Sequence, residues 1–323
     1  MRPDVSLWPN SQTWRVSPED AWLKSGAFLE RALEGMRIPE NQWPHLAGAS
    51  LGIAEWIARG FKGETLLIGI NGAQGSGKST TAELLAISLQ EAHRLRTIQF
   101  SIDDFYLTHA ERQGLAEKVH PLLATRGVPG THDIALLEKT LTSLIDAGPQ
   151  SETAIPRFDK ATDDRVPRSA WQHFRGTPQI IILEGWCVGS KAQPDELLDE
   201  ALNLLEAEED PDGGWRRYVN QQLKGAYHDL YRKFAHLIML KIPDFSLVKE
   251  WRTLQETKLA QARPAPEQSR IMTASELSRF IMHYERITRW NLETLPHTAD
   301  LTLEMDHSHC FTKARWRTGP LQD

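Results

Sequence analysis

Gly72-Ala-Gln-Gly-Ser-Gly-Lys78-Ser79 constrains this chain more than any other stretch, because it fits the phosphate-binding pattern GxxxxGK[ST] in the right surroundings. An apolar run, Leu66 to Ile70, leads into it and reads as a buried parallel strand. A helix-prone run from Thr80 to Glu91 leaves it, with Leu84, Leu85, Ile87 and Leu89 on an apolar side. Strand, glycine loop and helix N-terminus together form an anion site, in which backbone N–H groups converge on a phosphate and the helix dipole adds positive charge. The pattern predicts that residues 72–80, namely Gly72, Ala73, Gln74, Gly75, Ser76, Gly77, Lys78, Ser79 and Thr80, hold a nucleoside triphosphate. Lys78 reaches the β- and γ-phosphates in that arrangement, and the Ser79 hydroxyl ligates Mg²⁺.

The remaining segments alternate. Strands are expected at 96–102, 179–183, 236–242 and 299–305, and helices at 131–147, 245–262 and 273–291. Alternation of this kind predicts a three-layer α/β/α fold around a mostly parallel sheet. Ahead of it, Ser17-Pro18-Glu-Asp opens one helix and 46–59 forms another, an N-terminal helical extension over residues 1–62 that packs on a domain spanning 63–323. The acidic stretch Glu206 to Gly214 reads as a solvated loop.

With 323 residues the chain has ample length for a core, and 40% hydrophobic with 25% charged residues is ordinary for a soluble domain. A formal net charge of −6 argues against a general nucleic-acid binder, which needs a basic surface. Two cysteines, Cys187 and Cys310, form no disulfide framework, and neither a signal peptide nor a membrane span is expected, so a cytoplasmic setting follows. His307, His309 and Cys310 form too small a set for a metal site and read as loop residues. The chain is expected as a monomer or homodimer.

Ligands of such sheets bind beyond the C-terminal ends of the strands. Asp103-Asp104 follows one strand, where a carboxylate faces the γ-phosphate and can orient or deprotonate an attacking hydroxyl, or help hold Mg²⁺. Asp103 is the better candidate, while Asp104 stands equally well as a cap. Glu184 ends another strand and is expected to contact the metal ion, directly or through water. The loops over about 104–178 look like an acceptor site. Arg126 and His132 lie in Thr125-Arg-Gly-Val-Pro-Gly-Thr-His-Asp133, and Arg157, Lys160 and Arg165 supply three cations suited to a carboxylate or phosphate. Each of those three serves equally as part of a charged surface loop. A lid over about 245–292 carries Arg252, Arg263, Arg270 and Arg279, of which Arg252 is the preferred contact to the transferring phosphate.

Taken in order, GxxxxGKS, Ser101-Ile-Asp103-Asp-Phe-Tyr106, Arg126-Gly-x-Pro-Gly-x-His-Asp133, Pro156-Arg-Phe-Asp-Lys160 and Leu183-Glu-Gly-Trp186 resemble the P-loop small-molecule kinases related to uridine kinase, phosphoribulokinase and pantothenate kinase. Within that group the chain is most similar to the P-loop D-glycerate 3-kinase family, over roughly residues 46 to 306. The resemblance implies ATP and Mg²⁺ as cofactors, with Lys78 and Ser79 binding them, Asp103 as base and Glu184 assisting the metal. It also implies a small anionic acceptor with a hydroxyl, D-glycerate first, near Tyr106, Arg126, His132, Arg157 and Lys160. Uridine, pantothenate or another sugar acid are the alternatives, as is a regulatory ATPase that has no acceptor. Two departures touch the acceptor side: Phe158 stands where tyrosine is usual, and the segment 197–214 is longer and more acidic.

Overall fold

The structure is a computed structural model and describes residues 3–9, 15–253 and 273–317. Six strands form the central sheet: β1 (Leu66–Gly72), β2 (Thr97–Ser101), β7 (Ile180–Gly185), β8 (His236–Lys241), β9 (Leu301–Met305) and β10 (Phe311–Trp316). Their spatial order is β10-β9-β8-β1-β7-β2, with every pairing parallel except β10 on β9. The run of isoleucines in β7 is explained by its central place. Ile180 and Ile182 belong to the core on one face, Ile181 and Leu183 to the core on the other, and all four are fully buried. A strand covered on both faces has no polar side to show in its sequence.

On the first face, helix α3 (Lys78–His93) packs beside β1, and the N-terminal helices α1 (Pro18–Gly35) and α2 (Trp43–Gly60) pack on α3. Ser17 caps α1 by accepting Asp20 N–H at 3.1 Å, with Pro18 at the first helical position. On the second face lie α4 (His109–Lys118), α5 (Ile134–Ile145), α6 (Leu204–Glu209), α7 (Gly214–Lys224), α8 (Ala226–Tyr231) and α9 (Ala274–Thr294). Two small ribbons, β3 (Glu152–Ile155) with β6 (Gln172–Arg175) and β4 (Phe158–Asp159) with β5 (Asp164–Arg165), shape the loops between α5 and β7. No helix among the described residues is long and apolar enough to cross a membrane.

Two expectations need correction. The expected strands end at 299–305, whereas a further strand, β10, follows as an antiparallel edge. The acidic stretch is not a solvated loop either: Glu206 and Asp210 are at most 1% exposed. Arg286 of α9 donates to both Glu206 oxygens at 2.7 and 2.6 Å, and Arg216 of α7 reaches Asp210 at 3.0 Å. Buried carboxylates at those positions hold only because they are paired and hydrogen-bonded.

Candidate active site

The parallel sheet brings three strand ends to one level. Glu184 on β7 stands opposite Ile70 on β1 and Ser101 on β2, so the loop after β1, the carboxylate on β7 and the turn after β2 share one edge. The order β1-β7-β2 places Glu184 between the other two.

Residues 73–77 turn from β1 into α3 with Gly75 and Gly77 in the left-handed region, at φ +83° and +81°. A β-carbon on Gly75 would lie 2.9 Å from Trp251 Cβ, so this position needs glycine for both its backbone and its neighbour. Lys78, Ser79 and Thr80 occupy the first turn of α3. Ser79 donates its hydroxyl to Glu184 Oε1 at 2.8 Å. Glu184 is 4% exposed, and its Oε2 is buried with no hydrogen bond. A hydroxyl and a buried carboxylate with an unmet oxygen make a hard-donor pair that fits Mg²⁺, an ion that takes one or two protein oxygens and keeps waters.

Across from this pair, Asp103 sits in a one-turn helix (Ile102–Phe105). Lys160 Nζ donates to its Oδ2 at 2.7 Å, and the Tyr106 hydroxyl to its Oδ1 at 2.9 Å. Burial by itself would raise the Asp103 carboxyl. Lys160 and Lys78 outweigh it and hold the group well below the usual carboxylate range. Asp103 in turn raises the Lys160 ammonium. The two are therefore a fixed ion pair at neutral pH, next to a lysine of the phosphate loop.

Asp104 does something else. Its Oδ2 accepts Ser101 N–H at 3.2 Å, closing a capping box with the Ser101 hydroxyl. Burial pushes its carboxyl up to about 6, against the hydrogen bonds from Ser101 and Phe158 that favour ionisation.

The residues expected on the acceptor side form one contiguous wall. Tyr106 stacks on His132 with centroids 4.5 Å apart and meets Phe158 edge-on at 5.2 Å. Arg126 lies over the Phe158 ring at 5.6 Å, pairs with Asp163 and donates to Lys160 O at 3.4 Å. Arg165 is tied inside the loops, donating to Tyr106 O at 2.9 Å and Asp133 Oδ2 at 3.2 Å. Arg157 is exposed on β4's approach, and its carbonyl accepts Val166 N–H at 3.0 Å. Asp103, Tyr106, Lys160, His132 and Arg126 thus come together, whereas Arg165 braces the loops behind them.

Among the lid residues, Arg263 and Arg270 lie outside the described residues. Arg279 is engaged by Glu209 at 2.8 and 2.5 Å. Arg252 lies 5.9 Å over Phe280, one turn from Tyr284, and its neighbour Trp251 rests against the phosphate loop at Gly75. His309 stacks on Trp251 at 3.8 Å.

Tyr284, Arg112 and Tyr227 escape a motif reading. Tyr284 of α9 fills the space that a side chain at Gly127 would need, and Trp186 Nε1 donates to Gly127 O at 3.0 Å. Arg112, fully buried in α4, also lies over the Phe158 ring at 5.6 Å and pairs with Asp163 at 2.6 Å. Tyr227 lies 2.7 Å from His132 Nδ1. Tyr284, Arg112 and Tyr227 come from segments with no recognisable spacing.

No family model matches the chain. The uncharacterized kinase mug58 of Schizosaccharomyces pombe is 32% identical over 266 residues, 77% of this chain and 87% of its own length. The chloroplastic D-glycerate 3-kinase of Arabidopsis thaliana is 31% identical over 239 residues, 71% of this chain and 48% of its own, so the chain spans about half of that relative. A solved D-glycerate 3-kinase from Cryptococcus neoformans superposes with a TM-score of 0.68 at 23% identity, covering 84% of this chain and 99% of that one, a likeness of fold.

Proposed function

The chain belongs to the glycerate kinase-like family of P-loop small-molecule kinases, and from that premise we propose that it transfers the γ-phosphoryl group of ATP to a hydroxyl of D-glycerate, giving 3-phosphoglycerate. The observation that carries this reading is the Asp103 carboxylate, held by Lys160 and Tyr106 across from the Ser79–Glu184 pair.

In this reading the loop amides and Lys78 hold the phosphates of ATP, with Ser79 and Glu184 as the residues that would hold Mg²⁺. The ion supplies charge neutralisation at the phosphate oxygens when bound. Asp103 accepts the hydrogen bond of the acceptor hydroxyl and aims its oxygen at phosphorus. A carboxylate held so far below neutrality is a weak proton sink but a permanently ionised acceptor. That suits phosphoryl transfer, whose loose transition state asks for alignment more than for early deprotonation. Lys160 and Arg126 provide the positive charge that an acceptor carboxylate needs, and Arg126 brings a planar fork. Arg252, beside the loop, is the proposed lid contact to the transferring group.

Asp103→Asn keeps the shape of the side chain but removes its charge. The expected outcome is a loss of kcat of about 10²- to 10⁴-fold, with nucleotide affinity little changed. Steady-state kinetics and nucleotide titration of the same preparation check it. Near-normal turnover in the variant would remove Asp103 from the reaction.

A further inference from the structure

One proton on the acceptor side is fixed by the residues behind it. Tyr227 is fully buried, and its hydroxyl oxygen accepts Gly130 N–H at 2.9 Å while lying 2.7 Å from His132 Nδ1. If Nδ1 carried the imidazole proton, the phenol oxygen would accept twice. The phenol's own proton would then have no acceptor, and Nε2 would be a second unmet group. With the phenol donating to Nδ1, a single orphan remains, the Nε2–H. The structure therefore favours the neutral Nε2–H tautomer, because which nitrogen is protonated follows from the bond the other one makes. Burial agrees: it pushes His132 down to about 4 and Tyr227 well above its usual value, so both are uncharged at neutral pH.

The Nε2 edge of the ring faces away from Tyr227 and is buried without a hydrogen bond. The ring is 5% exposed and stacks on Tyr106, whose hydroxyl binds Asp103. A buried N–H donor left unmet at that place can be satisfied by a ligand oxygen. We propose that His132 is a neutral hydrogen-bond donor to a carboxylate or hydroxyl oxygen of the bound acceptor, and that Tyr227 is the positioning residue that locks its tautomer. An ammonium at the same point has only protons to offer and would be rejected. The inference rests on the reading of this wall as the acceptor site, and it adds what the site recognises.

Long-range proton–nitrogen NMR of the full-length, histidine-labelled protein tests it, with His132 assigned by His132→Gln. The expected result for the ligand-free wild type at neutral pH is a protonated Nε2 and a bare Nδ1. In Tyr227→Phe the Nδ1–H form should appear, and KM for D-glycerate should rise roughly tenfold while kcat and KM for ATP stay close to wild type. A wild-type Nδ1–H tautomer overturns the proposal, as does a Tyr227→Phe enzyme with unchanged KM for D-glycerate. If D-glycerate supports no turnover in the wild type, the glycerate reading fails. The tautomer, read without ligand, then decides the inference by itself.

Discussion

Asp103 turns its carboxylate towards Lys160 and Tyr106, while Asp104 turns back to cap the one-turn helix that carries them both. In the sequence the two differ only by position, and either could have faced the phosphate loop. Their surroundings push them in opposite directions: two lysines hold Asp103 ionised, and burial pushes Asp104 up to about 6. This has a consequence for stability. An unfolded aspartate titrates near about 4, so the folded state binds more protons through Asp104 between there and about 6. The contribution of Asp104 is fully present below that window and is lost as pH rises through it. Asp104→Asn keeps an acceptor for Ser101 N–H and removes the titration. Urea midpoints should therefore shift in favour of the variant on going from about pH 4 to about pH 7, relative to wild type. Parallel pH profiles for the two proteins would contradict this assignment. The motif residues could be located from sequence because Lys78 and Ser79 close the glycine loop after β1, Asp103 comes just after β2 and Glu184 stands at the end of β7. Tyr227, Tyr284 and Arg112 could not, since their roles come from contacts between distant segments.

At the level of elements, β1, α3, β2 and β7 were legible because apolar runs of strand length meet glycine or acidic punctuation. β10 was not. Phe311-Thr-Lys-Ala-Arg-Trp316 keeps Lys313 and Arg315 exposed, as an edge strand does, and so lacks a continuous apolar run. The acidic stretch misled for a related reason: its partners Arg216 and Arg286 are set by the fold, and Arg286 lies eighty positions away from Glu206. The Glu206–Arg286 pair joins α6 to α9, and α9 carries Tyr284 onto the Gly127 turn. Removing one partner strands a buried charge, so Arg286→Met should cost about 3–5 kcal/mol in urea denaturation. Adding Glu206→Leu to it should recover much of that loss, since an apolar pair leaves no charge unmet. A single-variant cost within the range of exposed ion pairs would show that the contact is not buried in solution.

For the molecule as a whole, the sheet does the assembling. Strand order β8-β1-β7-β2 sets the phosphate loop, Glu184 and Asp103 side by side, and the loops between α4 and β6 bring local cations beside them on a chain of net charge −6. The proposed donor half is thus built from one continuous motif and two strand ends. The proposed acceptor half is collected from distant segments, which is why a substrate is harder to read from the sequence than a chemistry. The most direct test follows ADP release and the phosphorylated product together, with ATP and Mg²⁺, across D-glycerate, other hydroxy acids, uridine and pantothenate. The account predicts saturable ADP release with D-glycerate, matched mole for mole by 3-phosphoglycerate. Turnover with uridine and none with D-glycerate, or ADP release that no acceptor raises, would contradict it.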